Sequence, residues 1–278
     1  MNVDQALAAA RARGLTRLDA ALLLAHHLQR RREWLIAHLD AELEEGTLVA
    51  FDEICRRRAD GVPVAYLTGW RDFMGLALQV NANVLVPRPE TETLAQWAIE
   101  SVRARPSATP PRVIDLGTGS GALALAIAVA CPLAQLTATD QSDPALAVAR
   151  ANAQRLGLRV EFASGDWWAA VDGRRFDLAV ANPPYVAAGD PHLAALQHEP
   201  QRALVAQAGG LADLAHIVER APSHLAGWLL VEHGWDQADA VHRLFEQAGF
   251  SDVQTRADLN GHPRCTGGRT PLTLRCRK

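Results

Sequence analysis

Short apolar runs alternate with longer amphipathic segments along most of the chain. Continuous apolar runs are typical of buried parallel strands, and apolar positions three and four residues apart are typical of helices. The predicted strands lie at residues 112–116, 136–139, 160–162, 176–181, 228–232, 253–255 and 272–274. The predicted helices lie at residues 122–130, 143–156, 211–220 and 237–248, with Asp143 as the cap of the second. This alternation predicts an α/β fold with a doubly wound, mostly parallel sheet.

The first 70 residues lack this alternation and predict a separate helical domain. Thr16 can cap a helix over residues 17–29, on which five apolar side chains fall along one face. These side chains are Leu18, Ala21, Leu22, Ala25 and Leu28. Further apolar stripes follow at residues 34–39 and 48–55, and the Gly-Val-Pro sequence at residues 61–63 ends the helical region.

A β-hairpin is predicted between the helical region and the sheet. Side chains alternate from Phe73 to Val80, and a second short run covers residues 83–86. The polar segment at residues 87–92 then leads into an amphipathic helix. The expected boundaries are residues 1–70 for the helical domain, 71–88 for the hairpin linker and 89–278 for the sheet domain.

Composition narrows the class of protein. The chain has 278 residues, of which 49% are hydrophobic, enough for a full α/β core and a small second domain. A net charge of −3 gives no general attraction to a nucleic-acid backbone. No apolar run reaches the length of a membrane span, and the N-terminus lacks the layout of a secretion signal. Cys55, Cys131, Cys265 and Cys276 show no metal-ligand spacing, so we expect reduced thiols and a cytoplasmic protein.

The tetrapeptide Asn182-Pro183-Pro184-Tyr185 follows the predicted strand 176–181 at its carboxyl end, where open α/β sheets bind ligands. The two prolines lack backbone donors, so the segment presents carbonyl oxygens. Asn182 adds a side-chain acceptor, and Tyr185 adds a flat apolar face. The tetrapeptide therefore predicts a rigid binding site for a planar group that carries N–H donors, such as an amide or an aromatic amine.

A glycine-rich loop follows the predicted strand 112–116 and reads Gly117-Thr118-Gly119-Ser120-Gly121. Glycines at alternate positions allow a tight strand-to-helix turn and a close approach of a ligand to the backbone. Asp140, at the end of the next predicted strand, is placed to bind ribose hydroxyls. The loop also satisfies a loose dinucleotide pattern. Asp115 argues against a dinucleotide, because a carboxylate beside the loop would repel a pyrophosphate but suit the positive charges of S-adenosylmethionine.

Taken together, these motifs resemble the bacterial family that methylates the glutamine side chain of peptide chain release factors. The resemblance extends over nearly the whole chain. It includes residues 61–69, 86–92, 115–121, 164–167, 182–185, 199–200 and 232–235. One position departs from the family pattern, because His198 precedes Glu199 where an aromatic residue is usual. We expect His198 to be a solvated loop residue.

The resemblance implies a class I S-adenosylmethionine-dependent methyltransferase with a Rossmann-like sheet and a small N-terminal helical domain that docks the substrate. S-adenosylhomocysteine would be the product of the cofactor. The implied cofactor-binding residues are Gly117, Thr118, Gly119, Ser120, Gly121, Asp140, Trp167 and Asn182. The implied substrate-binding residues are Asn182, Pro183, Pro184 and Tyr185, of which Asn182, Pro183 and Tyr185 are the catalytic ones. Trp168 is expected only to pack, and Arg88 and Glu90 are second-tier candidates.

The implied reaction is methylation of the side-chain nitrogen, N5, of the glutamine in the Gly-Gly-Gln motif of class 1 release factors, a step that supports translation termination. The implied partners are those release factors, with no membrane and no stable nucleic-acid partner. A DNA adenine-N6 methyltransferase is the alternative enzyme, because it would use the same tetrapeptide on another conjugated amine. It would also need base flipping and a basic cleft. A cofactor-binding regulator without catalysis is a third interpretation, which an intact Asn182 and Tyr185 disfavour.

Overall fold

The computed structural model describes residues 1–105 and 109–270, which fall into two compact units. The first unit combines Met1–Trp70 with Ala194–His198, and the second combines Arg71–Leu193 with the chain from Glu199 onward.

The first unit is built from short helices. They are α1 (Val3–Ala12), α2 (Arg17–His27), α3 (Arg32–Ala37), α4 (Glu45–Ala59) and α5 (Val64–Thr68). The Thr16 side chain caps α2 by accepting a hydrogen bond from the backbone N–H of Asp19, as predicted. The predicted buried face of α2 is only partly correct. Ala25 is buried and Ala21 and Leu28 pack against the core, whereas Leu18 and Leu22 are exposed. The helix is apolar on more than one face, and the core of the unit also takes Ala20, Leu23 and Leu24.

His198 belongs to this first unit. Its imidazole is half-buried, and Nε2 lies 2.9 Å from the backbone oxygen of Asp60. A Cβ on Gly61 would lie 3.6 Å from the same ring. His198 is therefore a loop residue, as predicted, but it is only partly exposed and contacts the turn that ends α4.

The predicted hairpin exists, but both of its strands lie closer to the N-terminus than predicted. Strand β1 covers Trp70–Phe73 and β2 covers Leu76–Gln79. Met74 and Gly75 form the turn with φ angles of +50° and +76°, values that suit a two-residue hairpin turn. The alternation from Phe73 to Val80 thus spans both strands and their turn, and residues 83–86 form no strand.

Helices and strands alternate through the second unit. Its helices are α6 (Thr91–Arg103), α7 (Ala122–Ala130), α8 (Asp143–Leu156), the kinked turn α9 (Gln207–Gly210), α10 (Ala212–His224) and α11 (Ala238–Gln247). Its strands are β3 (Arg112–Leu116), β4 (Gln135–Asp140), β5 (Val160–Ser164), β6 (Phe176–Ala181), β7 (Val186–Ala187), β8 (Val205–Ala206), β9 (Leu225–Glu232), β10 (Ser251–Ala257) and β11 (Pro263–Arg269). Ser142, not Asp143, caps α8, because its hydroxyl accepts from the backbone N–H of Ala145.

The described residues form a main sheet with the strand order β10-β11-β9-β6-β3-β4-β5. Five of these strands, β9, β6, β3, β4 and β5, run parallel to one another, and β11 is antiparallel to both β9 and β10. The two faces bury different clusters: Val113 packs with α6 and α7, whereas the next residue, Ile114, packs with α10 and α11. The predicted α/β class with a doubly wound, mainly parallel sheet is confirmed.

Strand β11 was not predicted. Its Gly267 and Gly268 resemble a turn in sequence, yet a Cβ on Gly267 would lie 2.4 Å from Cδ2 of Leu230 on β9. Glycine is therefore needed here for close packing rather than for a turn. The predicted strand at residues 272–274 lies outside the described residues, as does Cys276; the other three cysteines are buried free thiols.

The sheet topology alone indicates where a ligand would bind. From β3 the chain crosses to β4 on one side, whereas β6 pairs with the other side of β3. The winding direction thus reverses between β3 and β6. In open α/β sheets the crevice at the carboxyl ends of the strands flanking this reversal binds ligands.

Candidate functional site

A cavity lies at the carboxyl ends of β3, β4 and β6, within the second unit. Of the predicted site residues, it is lined by Gly117, Thr118, Gly119, Ser120, Asp140, Trp167, Asn182 and Pro184. Gly121, Pro183 and Tyr185 do not line it: the first two are buried, and the third is half-buried behind the wall. Arg88 lines the cavity as well. The fold therefore brings the glycine loop, the acid of β4 and the start of the tetrapeptide around one space.

The glycine loop is held by β4. The backbone N–H of Thr118 donates to the carbonyl of Thr139 over 2.8 Å, and the N–H of Gly119 donates to Oδ2 of Asp140 over 2.9 Å. The other oxygen of Asp140 accepts from the N–H of Ser142, also over 2.9 Å. Asp140 thus joins the glycine loop to the start of α8 while its half-buried carboxylate faces the cavity.

Asp115 does not face the cavity, which corrects the sequence argument that its charge would meet the cofactor. The side chain is 1% exposed, and Oδ2 accepts from the Thr118 hydroxyl over 2.6 Å and from the backbone N–H of Ala124 over 3.1 Å. Burial raises the pKa of this carboxyl to about 7. Oδ1 has no hydrogen-bond partner among the described residues. Asp115 therefore ties the glycine loop to α7 from behind.

Trp167 forms another part of the cavity wall. It begins a 3₁₀ helix, Trp167–Val171, with a φ angle of +42°, a left-handed conformation that is uncommon for a bulky residue. Its indole Nε1 donates to Oδ1 of Asp213 over 3.2 Å. Burial raises the pKa of the Asp213 carboxyl, which also lines the cavity. Asp213 was not predicted; its position in the first turn of α10 carries no motif.

Trp168, the next residue, packs as predicted. It is buried, its Nε1 donates to the backbone oxygen of Ile217 over 2.9 Å, and its ring stacks on His224 with centroids 5.1 Å apart. The two neighbouring indoles therefore have different surroundings: one faces the cavity and the other lies in the core.

The tetrapeptide is held by two side-chain hydrogen bonds. Nδ2 of Asn182 donates to the Thr91 hydroxyl oxygen over 3.1 Å, and the Tyr185 hydroxyl donates to Oε1 of Glu232 over 3.2 Å. Within the described residues nothing donates to Oδ1 of Asn182. The side chain of Asn182 therefore keeps an acceptor available at the cavity.

Glu232 is the last residue of β9 and lies fully buried beside the tetrapeptide. Burial raises the pKa of its carboxyl to about 7, while the nearby Thr91 and Tyr185 hydroxyls act in the opposite direction. The Tyr185 phenol is itself desolvated, and this burial together with the nearby charge of Glu232 raises its pKa. Sequence reasoning gave Glu232 and Thr91 no role. The signal was present, since Glu232 ends a buried strand just as Asp140 does.

An ion pair fixes Arg88, one of the residues that line the cavity. Arg88 pairs with Glu199, whose other oxygen accepts from the backbone N–H of Val86 over 3.0 Å. Glu199 is 4% exposed, so its charge is compensated by these two donors rather than by water. The pair fixes the segment before α6 against the chain that follows the tetrapeptide.

Comparisons with known proteins agree with this architecture. Residues 3–69 match the PrmC N-terminal domain, and residues 99–211 match the methyltransferase small domain. A release factor glutamine methyltransferase of Bordetella pertussis is 48% identical over 260 residues, covering 92% of this chain and 95% of the relative. One from Xylella fastidiosa is 46% identical over 271 residues, covering 96% and 98%.

A solved structure shows the same fold. The 16S rRNA N2 G1207 methyltransferase of T. thermophilus, in complex with AdoMet and guanosine, superimposes with a TM-score of 0.52 at 17% identity. The match covers 73% of this chain and 50% of that one. In the described part of the chain, no helix has the length and apolar character needed to cross a membrane.

Proposed function

The chain belongs to the release factor glutamine methyltransferase family, and we propose that it methylates N5 of the Gly-Gly-Gln glutamine in class 1 release factors. The methyl donor is S-adenosylmethionine. One observation supports this proposal most directly: the fold places the glycine loop, Asp140 and Asn182 around a single cavity. The acceptor acts in translation termination, which is consistent with a cytoplasmic enzyme.

The residues present fit the cofactor. The glycine loop offers backbone close to the cavity without side chains, and Asp140 offers a carboxylate at the end of β4. In this arrangement the loop would hold the methionine part, Asp140 the ribose hydroxyls and Trp167 the edge of the adenine. When bound, S-adenosylmethionine supplies an electrophilic methyl group on a sulfonium.

Asn182 and Pro183 would orient the substrate amide. The nitrogen of an amide is a poor nucleophile because its lone pair is delocalised into the carbonyl. Oδ1 of Asn182 and the backbone oxygen of Pro183 would accept its two protons, fix the amide plane and increase the electron density on nitrogen. The donation from Nδ2 of Asn182 to Thr91 leaves Oδ1 as the atom that can serve this role.

Tyr185 and Pro184 complete the proposed substrate site. Pro184 sets the turn and lines the cavity, and the ring of Tyr185 would stack against the amide plane. The Tyr185 hydroxyl is bound to Glu232, so the ring rather than the hydroxyl would contact the substrate amide. No separate general base is required, because the N-alkylated cation that methyl transfer produces is strongly acidic and readily loses its extra proton to give the neutral methylated amide.

A competition assay tests the proposed function. The protein would receive S-adenosylmethionine with a tritiated methyl group, together with a class 1 release factor and duplex DNA. We expect label on the release factor, and none on a control factor in which the Gly-Gly-Gln glutamine is replaced by alanine. Label on the DNA alone would overturn the proposal and favour the adenine methyltransferase, which the names of the relatives do not support.

A further inference from the structure

The indole ring of Trp167 is held at two opposite ends. Its Nε1 donates to Oδ1 of Asp213 over 3.2 Å. At the far corner of the ring, Cζ3 would lie 2.9 Å from a Cβ on residue 117, so the ring reaches this position only because Gly117 has no side chain. Nε1, Cζ3 and Cγ, the ring atom that joins the side chain, do not lie on one line. Contacts at both ends therefore fix the plane of the ring beside the cavity.

The backbone alone does not hold the ring there. Trp167 has a φ angle of +42°, in the left-handed region that a bulky residue rarely occupies. The turn before it is tight, since a Cβ on Gly165 would lie 2.9 Å from Cα of Ala170. Such a conformation persists only where the surrounding contacts stabilise it. In the part of the chain that the structure describes, the bond to Asp213 is the one side-chain hydrogen bond of Trp167.

Asp213 is well placed to supply this contact. It lies in the first turn of α10, where the helix dipole favours a negatively charged side chain. Leu214, Ile217 and Val218 bury the same helix in the core, so the backbone at residue 213 is firmly held. An indole N–H can only donate, so its partner must be an acceptor, and a charged acceptor makes the stronger bond.

We propose that Asp213 is a positioning residue for S-adenosylmethionine, which acts by fixing the plane of the Trp167 indole at the cavity. Both residues line this cavity. A ring that already has its binding orientation needs no ordering when the ligand arrives, which raises the affinity. Without the acceptor at residue 213 the indole can rotate across the cavity or away from Gly117. The inference rests on the proposed place of Trp167 beside the adenine, and it is independent of the acceptor that is methylated.

Asp213→Leu tests the proposal, because leucine is also branched at Cγ but offers no acceptor. Titration calorimetry of the full-length protein with S-adenosylhomocysteine should give a Kd raised by about 10- to 100-fold, the effect of losing a hydrogen bond to a charged group. Asp213→Asn keeps an acceptor oxygen and should recover most of the affinity. Glu219→Leu removes an exposed acid from the same helix and should bind as the wild type does.

A double-variant cycle with Trp167→Phe shows whether Asp213 acts through the indole. Phenylalanine has no N–H, so the hydrogen bond is already absent from this variant. Asp213→Leu should then raise the Kd of the Trp167→Phe protein no further, because the two changes remove one interaction. A direct contact between Asp213 and the cofactor would instead give the same loss of affinity in both backgrounds and would overturn the positioning role.

The Nε1 proton of Trp167 gives a readout that does not involve the ligand. A ¹H–¹⁵N NMR spectrum has one indole signal for each of the seven tryptophans, and Trp167→Phe identifies the signal to follow. In Asp213→Leu this proton should exchange with solvent faster than in the wild type, and in Asp213→Asn at an intermediate rate. The signal of Trp168, whose Nε1 donates to the backbone oxygen of Ile217, should not change.

The outcomes separate this inference from the proposed function. A wild-type protein that binds S-adenosylhomocysteine but labels no release factor would overturn the proposed function alone. A normal Kd in Asp213→Leu would overturn the positioning role, and a lower melting temperature with that normal Kd would show that Asp213 only stabilises the fold. If Asp213→Leu does not fold, Asp213→Ala carries the same expectation, since alanine suits a helix and also lacks an acceptor.

Discussion

Gly117 leaves the space that the indole ring of Trp167 fills: a Cβ at position 117 would lie 2.9 Å from Cζ3 of the ring. The glycine also has a φ angle of +72°, in the left-handed region. Backbone conformation and side-chain packing therefore both select glycine here. The relationship joins the glycine loop after β3 to the 3₁₀ helix after β5, two segments far apart in the chain.

Gly117→Ala should weaken S-adenosylmethionine binding by about 5- to 150-fold, because strain of about 1–3 kcal/mol must be relieved by moving the loop or Trp167. Titration calorimetry would measure the Kd. Gly157→Ala is a matched control, since Gly157 has a φ angle of +67° and a Cβ there would contact nothing within 4 Å. Equal Kd values for Gly117→Ala and the wild type would show that the indole does not set the cofactor site.

Asp140→Ala should weaken S-adenosylmethionine binding by about 1–3 kcal/mol, because a charged acceptor for the ribose hydroxyls is lost. The change also removes the two hydrogen bonds that Asp140 accepts from Gly119 and Ser142. Asp143→Ala, in the first turn of α8, serves as the control for loss of a nearby negative charge. Calorimetry that finds an unchanged cofactor affinity in Asp140→Ala would remove Asp140 from the site.

Asn182→Ala should lower kcat by about 10²- to 10³-fold with a smaller change in KM, because its acceptor acts mainly as the amide is polarised. Steady-state methyl transfer to the release factor would separate the two constants. Near wild-type turnover in this variant would contradict the proposed orientation of the amide.

Tyr185→Phe and Tyr185→Ala should differ sharply. Phenylalanine keeps the ring and loses only the hydrogen bond to Glu232, so its effect on kcat should be mild. Alanine removes the stacking face, and kcat should fall severely. Equal turnover of the two variants would show that the ring has no part in holding the amide.

Asp115 makes the free energy of unfolding depend on pH. Its pKa is about 7 in the folded protein and 3.8 when unperturbed, so between these values the folded state holds a proton that the unfolded chain has released. The free energy of unfolding therefore loses about 1.4 kcal/mol per pH unit from this group as pH rises through that window. Asp115→Asn should remove this contribution, which urea unfolding followed by circular dichroism at several pH values would measure. Parallel pH profiles for wild type and variant would contradict the raised pKa.

The helical region at residues 1–70 should dock the release factor. A recessed site can admit a glutamine between two small neighbours, but a tripeptide offers little surface for specificity. Deleting residues 1–70 should raise the KM for the intact factor and leave the Kd for S-adenosylmethionine unchanged. That Kd also shows whether the truncated protein folds. A folded truncated enzyme with a normal KM would remove the docking role.

The sequence predicts the sheet well because buried parallel strands carry continuous apolar runs: β3 and β6 begin and end where predicted. The prediction from sequence fails at two glycines whose structural role the local pattern does not reveal. Gly75 lies in a turn but was assigned to a strand, and Gly267 lies in a strand although it resembles a turn. Alternation alone cannot separate these cases, because the deciding contacts are between residues distant in the chain.

Site prediction has a similar limit. The cavity-lining residues of the glycine loop and the tetrapeptide stand in recognisable motifs, so their positions follow from sequence. Asp213 lies outside these motifs, and Thr91 and Glu232 lie in segments that carry the resemblance but gave no hint of a role. Each of the three has a single side-chain partner from another element, which the sequence does not show. Asp115 was assigned to the wrong side of the loop, since spacing does not reveal whether a carboxylate points to the cavity or to the core.

The contrasting surroundings of Trp167 and Trp168 have a practical consequence. An indole that borders the cavity beside the Asp213 carboxyl senses what enters it, whereas its sealed neighbour contributes a constant background. A change in the fluorescence emission of the native protein should therefore report occupancy of the cavity, on top of the emission of the other six tryptophans. No attached dye is needed to follow the filling and emptying of the site in real time.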